Sequence, residues 1–323
     1  MAKKYIDAVV DEDYFYDYDM TGDDLSHKEQ NERNLEYFTQ YSIDSGNRYR
    51  PTTKSVKKLP SGYYLTRADQ NGLYFEKSKI NIADLIRFPD STADKVIAEF
   101  KTFWSKKKDY LVRGESHKRG FLLWGPPGGG KTCTVSFIIK DFIKKGNIIF
   151  EYSGYTLDGI RAFRNIESDR KIMIVIEDID TYLKNPKEEQ DLLQLLDGGI
   201  QHQNTIIIST TNYPEELPDR IINRPSRFDR ISYIGLPNKK HRSMYIKKKS
   251  KNLKNGKINK WIEDTKGFTL AHIKELIVSV EVFGLDYNDS LHRLKLMRKK
   301  MSSSEDYEKD LRGHKDLGFL SGN

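Results

Sequence analysis

The sequence predicts an α/β fold: a parallel sheet sandwiched by helices, followed by a small helical lid. Three observations predict it. Gly125–Thr132 reads GPPGGGKT and fits the pattern G-x-x-x-x-G-K-[ST] at every fixed position. Five short apolar runs, 121–124, 148–152, 172–176, 205–209 and 231–234, alternate with helical stretches. Near-continuous apolar strands separated by helices indicate a parallel sheet covered on both faces. The run Ile172–Ile176 ends in Glu177-Asp178-Ile179-Asp180, so a buried strand delivers carboxylates at its C-terminal end, where ligands of open α/β sheets gather.

The chain has 323 residues and exceeds one average domain. Hydrophobic content is 37% and charged content 32%, which suggests a globular middle with polar ends. Residues 1–50 carry 12 acids against 6 bases and include Asp11-Glu12-Asp13-Tyr14-Phe15-Tyr16-Asp17-Tyr18-Asp19. They are expected to form an acidic, tyrosine-rich, disordered tail. Residues 51–110 are expected to form a small N-terminal β/α region. Within it, Tyr63-Tyr64-Leu65 and Leu73-Tyr74-Phe75 flank Asp69-Gln70-Asn71-Gly72, a hairpin signal. Val96, Ile97, Phe100 and Phe103 then recur at helical spacing.

Residues 111–237 are expected to be the α/β nucleotide-binding domain. Phe121–Trp124 reads as a buried strand, the glycine loop follows it, and a helix from Cys133 to Lys145 stops at Gly146. Glycines let backbone N–H groups crowd around phosphate oxygens, and the helix N-terminus adds partial positive charge. Gly125, Pro126, Pro127, Gly128, Gly129 and Gly130 would cradle the phosphates of a nucleotide. Lys131 would reach the β- and γ-phosphates, and Thr132 would place its hydroxyl on Mg²⁺. By register Glu177 is assigned to the metal and Asp178 to the attacking water. Residues 238–285 read as the helical lid, and 286–323 as a polar C-terminal tail.

The net charge of +8 admits an acidic partner such as nucleic acid. Two basic stretches, Lys247-Lys248-Lys249 and His292 to Lys300, would bind phosphates or serve as solvated helix faces. Neither carries the interleaved aromatics of a single-strand platform. A single cysteine, Cys133, excludes an intrachain disulfide and a cysteine-based zinc site, and a buried helix position is expected for it. No apolar run reaches the length of a membrane span, so a cytoplasmic protein is expected.

With these motifs in place, residues 59–285 resemble the AAA ATPases, which are P-loop NTPases with an AAA+ module. The stretch 204–230, NTIIISTTNYPEELPDRIINRPSRFDR, is similar to the family's sensor and arginine-finger region. The resemblance implies that Asn212 orients water near the γ-phosphate and that Arg224 and Arg227 enter a neighbouring subunit's site. A basic loop or surface ion pairs remain the plain alternative for Arg224, Arg227 and Arg230. Leu192 to Gly199 resembles a helix implicated in signalling between subunits. Gly267 to Ile273 resembles the lid segment by the nucleotide, with Ala271 where other branches carry a sensor arginine. Gly114 stands where the family's backbone approaches adenine, and His241 is either an adenine contact or a surface residue.

Within the family, His117-Lys118-Arg119-Gly120-Phe121-Leu122-Leu123, the Glu-Asp-Ile-Asp order and Leu195-Leu196-Asp197-Gly198 look like the soluble bacterial and phage relatives of the mitochondrial Bcs-type Rieske chaperones. The sequence contains no His-Glu-x-x-His motif, unlike the membrane AAA proteases. The resemblance implies a homo-oligomeric ring, a hexamer or heptamer, that spends ATP on an unknown protein substrate. A nucleic-acid-associated ATPase and an ATP-gated scaffold with little turnover are the alternatives. The loop Tyr155–Phe163 lacks the aromatic-apolar-Gly triplet of threading proteins. Tyr155 or Phe163 would either grip a polypeptide or pack a helix onto the sheet.

Overall fold

A computed structural model describes residues 40–43, 49–52, 56–70, 72–80, 86–197, 203–224, 226–253 and 255–298. The expected tails fall largely outside these residues. Two compact units are distinguished, Met1–Ser61 and Gly62–Asn323. In the first, β1 (Gln40–Ile43) pairs antiparallel with β2 (Tyr49–Thr52), so the stretch read from sequence as a tail contains one strand of a hairpin.

In the second unit, seven strands form one sheet in the order β4-β3-β6-β7-β8-β5-β9. They are β3 (Gly62–Asp69), β4 (Gly72–Ser78), β5 (Lys118–Trp124), β6 (Ile148–Glu151), β7 (Ile172–Ile176), β8 (Thr205–Thr211) and β9 (Arg230–Tyr233). The β3–β4 hairpin is antiparallel, and every other pairing is parallel. The hairpin read from the Asn-Gly turn therefore exists, but it extends the main sheet through β3 and β6 rather than standing apart. The central strands β7 and β8 are buried along their whole length, whereas edge strand β4 alternates between half-buried and exposed positions.

Side-chain alternation divides the sheet into two faces. Phe121, Leu123, Ile149, Met173, Val175, Ile206 and Ile208 join one core with α1 (Thr92–Ser105) and α3 (Lys131–Lys144). Helix α1 begins where the Ser91 side chain accepts the Asp94 N–H at 3.1 Å, and it buries Val96, Ile97, Phe100 and Phe103. The short α2 (Lys107–Val112) follows it. On the opposite face α4 (Thr156–Ile166) sets Phe163 edge-on to Phe150, ring centres 5.4 Å apart. Helix α5 (Pro186–Asp197) buries Leu192, Leu195 and Leu196.

After the short α6 (Asp219–Ile222) and β9, four helices form the lid: α7 (Lys239–Lys249), α8 (Asn255–Asp264), α9 (Leu270–Glu281) and α10 (Tyr287–Arg298). Ile246, Trp261, Phe268, Ile273, Leu276, Leu291 and Leu294 make its core. The lid thus runs past residue 285, where the basic composition of α10 hides an apolar stripe. Buried Arg242 anchors its start by donating to the carbonyls of Pro237 and Ile262. Among the described residues no helix is long and apolar enough to cross a membrane.

Candidate nucleotide site

Strand order builds the site. β8 lies between β7 and β5, with Ile176 opposite Ser209 and Trp124 opposite Thr211. The end of β8 therefore emerges between the glycine loop after β5 and the carboxylates after β7. Such a switch point in an open α/β sheet opens a crevice at the strand ends.

The loop Gly125–Gly130 needs its glycines. Gly125, Gly128 and Gly130 have φ of 149°, 69° and 112°, the left-handed region that disfavours side chains. A Cβ on Gly128 would sit 2.9 Å from Thr269 Oγ1 and from the Ala271 Cβ, so the start of α9 lies directly over the loop. A Cβ on Gly129 would meet the carbonyl oxygens of Pro126 at 3.0 Å and Ile234 at 3.1 Å. This cradle at the N-terminus of α3 has the donor set and bareness that phosphate oxygens require.

Lys131 is buried, and its Nζ donates to Gly125 O at 2.7 Å, Pro126 O at 3.2 Å and Asn212 Oδ1 at 2.6 Å. Burial pulls its ammonium below the ordinary lysine range, opposed by the charges of Asp178 and Asp180. Asn212 in turn donates from Nδ2 to Asp178 Oδ1 at 3.1 Å. Lys131, Asn212 and Asp178 thus form one hydrogen-bonded line across three strand ends.

Asp178 adopts φ 46° and ψ 58°, a conformation that costs a non-glycine residue about 1–2 kcal/mol. Its N–H is fixed by Thr210 Oγ1 at 3.1 Å, which stabilises the turn and directs the carboxylate towards Asn212. Glu177 reaches solvent, yet partial desolvation of its carboxyl by the surrounding strand ends, together with the charges of Asp178 and Glu151, raises its pKa. Its charge also reaches the hydroxyl of half-buried Tyr63, whose ionisation is pushed far up by desolvation first and then by Glu151. Thr132 is exposed at the start of α3. Thr132 and Glu177 are oxygen donors of the kind Mg²⁺ takes when phosphates and water complete its shell. Among the described residues no group of three or more His, Cys, Asp or Glu side chains could hold a metal ion unaided.

Beside the loop opens a cavity of about 320 Å³. Phe88, Ser91, Gly130, Cys133, Ile234 and His241 help to line it. The rings of Phe88 and His241 are tilted at 5.0 Å, and His241 is half-buried at this wall of the cavity. Cys133 is exposed here, not buried as expected. Gly114 does not line the cavity. Its φ of 74° instead closes α2, its N–H donating to Leu111 O at 3.1 Å. Residues of the segment 86–94, among them Phe88 and Ser91, line the cavity.

The two arginines differ. Arg227 is 4% exposed, and its Nε and Nη2 bind the two oxygens of Asp197 at 2.6 Å each. Its Nη1 donates to Arg220 O. Arg224 is 57% exposed and lies 3.3 Å from the same carboxylate. The guanidinium of Arg227 is therefore engaged inside its own chain, whereas that of Arg224 is largely exposed. Arg227 depresses the Asp197 pKa through that hydrogen bond, with Arg224 and Lys118 adding to the effect. Phe163 is 2% exposed and packs in the core, while Tyr155 is 49% exposed.

Residues 121–236 match the family described as "ATPase family associated with various cellular activities (AAA)". The chain is similar to "ATP-dependent zinc metalloprotease FtsH 2" of Thermoanaerobacter sp. (strain X514), 27% identical over 259 residues, 73% of this chain and 50% of that protein. It is 30% identical over 223 residues to the yeast (Saccharomyces cerevisiae) "Mitochondrial inner membrane i-AAA protease supercomplex subunit YME1", 64% of this chain and 29% of that protein. A third relative, "ATP-dependent zinc metalloprotease FtsH" of Mesomycoplasma conjunctivae, is 29% identical over 203 residues, 56% of this chain and 27% of that protein. The chain thus spans half or less of the length of these relatives. Sheet order and glycine cradle agree with these matches: residues 121–236 match the AAA ATPase domain, a module that binds ATP with Mg²⁺ as its usual partner ion and hydrolyses it.

Proposed function

We propose that this chain is an ATP-hydrolysing ring protein that couples turnover to remodelling or moving a protein partner. The observation that carries the reading is the line Lys131–Asn212–Asp178, which joins the phosphate cradle to a carboxylate through a polar side chain. Bound Mg²⁺ would neutralise phosphate charge, and Thr132 and Glu177 are the residues to hold it. Lys131 would leave its carbonyl partners to meet the β- and γ-phosphates. Asp178 accepts a proton as the water oxygen bonds to the γ-phosphorus and the β–γ bridging P–O bond breaks, with Asn212 orienting that water.

Exposed Arg224 is the residue to reach a neighbouring protomer, and Arg227 holds the arginine loop against Asp197. Such a shared site favours a closed ring of six or seven protomers. The similarity to FtsH and YME1 supports a protein partner, and exposed Tyr155 is the aromatic available to touch one. The Bcs-type kinship rests on the residues quoted from the sequence, and a cytoplasmic site of action goes with that reading. Net basic charge keeps a nucleic-acid partner as the second reading.

The test is steady-state ATPase activity against protein concentration, for the wild type, Asp178→Asn and Arg224→Ala. Specific activity that rises with concentration and falls in both variants, with ATP binding retained, is expected. Turnover that ignores concentration and Arg224 would remove the ring. Stimulation by DNA or RNA that fades steeply with salt would favour the nucleic-acid reading.

A further inference from the structure

A second tie joins the ends of β7 and β8 on the side away from Asn212. Thr210 and Asn212 share one face of the strand end, and Thr211 points to the other. Thr211 is fully buried and Asp180 is 6% exposed. The Thr211 hydroxyl donates to Asp180 Oδ1 at 2.6 Å and accepts the Tyr213 N–H at 3.0 Å. Both residues flanking Asn212 are therefore held by one hydroxyl, and that hydroxyl is held by Asp180.

Asp180 forms no ion pair among the described residues. A buried carboxylate with no cation in direct contact is costly, and for packing alone a neutral isostere would suffice; the charge of Lys131 reaches Asp180 only from a distance. Asp180 lies in the first turn of the 3₁₀ helix Ile179–Lys184 that follows Asp178, so it moves with the carboxylate Asn212 binds. Three bonds then fix the two strand ends against each other: Thr210 to the Asp178 backbone, Asn212 to the Asp178 side chain, and Thr211 to Asp180.

We propose that Asp180 is a positioning residue of the nucleotide site, acting through Thr211 to hold Asn212 in line with Lys131 and Asp178. The inference rests on the ATP-hydrolysing reading. Asp180 does not contact the reacting atoms. It sets where Asn212 stands, and a displacement of about 1 Å at such a group lowers turnover by about 100-fold.

The experiment compares the full-length wild type with Thr211→Val, Thr211→Ser and Asp180→Asn. It measures kcat, KM, the affinities for ATP and ADP by direct titration, and thermal unfolding. Thr211→Val keeps shape and removes the donor, so kcat is expected to fall about 10- to 100-fold with KM within about threefold of wild type. The ATP-over-ADP affinity ratio should fall with it, because Asn212 faces the γ-phosphate end of the site. Thr211→Ser restores the hydroxyl and should return kcat to within about threefold. Asp180→Asn should fall between the two, since its amide oxygen still accepts.

A wild-type kcat and affinity ratio in Thr211→Val would overturn the proposal. So would equal losses in Thr211→Val and Thr211→Ser accompanied by a lowered unfolding temperature. A wild type that binds ATP without turning it over would overturn the hydrolysis reading alone. The affinity ratio in Thr211→Val would then still decide the positioning role.

Discussion

Replacing Arg227 by alanine removes a guanidinium that is 4% exposed and bound at 2.6 Å through two nitrogens to Asp197. Breaking a fully buried pair of this kind costs about 3–5 kcal/mol, because the remaining charge is left unpaired. The Asp197 side chain is 34% exposed, so water and Arg224 recover part of that loss. The expected destabilisation is about 2–3 kcal/mol. Arg224→Ala differs, since a side chain 57% exposed at 3.3 Å from a shared carboxylate contributes little. Its cost should stay within about 0.5 kcal/mol. For activity the order reverses in specificity: an arginine acting on a neighbour's phosphoryl group is worth about 10³ in kcat. Urea unfolding of both variants, run beside ATPase activity at several protein concentrations, separates the two roles. Arg224→Ala should unfold like wild type and lose turnover, while Arg227→Ala should unfold earlier and lose turnover as a consequence. An Arg227→Ala protein with wild-type stability, beside an Arg224→Ala protein with wild-type turnover, would refute this division.

Three further outcomes are expected. Gly120 donates its N–H to Asp229 Oδ2 at 2.8 Å, and a Cβ there would overlap the Arg227 carbonyl, so Gly120→Ala should lower stability by about 3 kcal/mol in denaturant titration. Burial lowers the His272 pKa, with Arg298 adding to it, so on acidification the unfolded chain takes up that proton first. Stability is therefore fully present above about pH 6.5 and is lost as pH falls towards the lower folded value, and His272→Gln should flatten that slope in unfolding measured between about pH 7 and 5. Phe163→Ala should cost about 3–5 kcal/mol and Tyr155→Ala less than about 0.5 kcal/mol, so only the latter gives a clean test of the proposed partner handling.

Much of the site was legible because its pieces are local. A glycine loop between an apolar strand and a helix forms within about ten residues, and the carboxylates after Ile172–Ile176 follow directly from an apolar run. The lid boundary was less legible. Helix α10 carries enough lysine and arginine to mask the stripe of Leu291 and Leu294. The β1–β2 pairing lies in a segment whose acidity pointed to a tail. Gly114 was assigned from a resemblance in order along the chain, and which segments line the cavity is set by long-range packing.

By itself the sequence determined the class of fold, the glycine loop and the pair of carboxylates at a strand end, while Asn212 entered only through the family resemblance. These depend on hydrophobic period, on glycine's conformational freedom and on charge at a strand end, all of which are written in neighbouring residues. Only the tertiary structure decided that β8 sits between β5 and β7, because strand order is chosen by long-range packing. That choice brings Asn212 to both Lys131 and Asp178, pairs Thr211 with Asp180, and closes Asp197 on Arg227. Each contact joins residues about 30 to 80 positions apart, a distance over which no local pattern carries information.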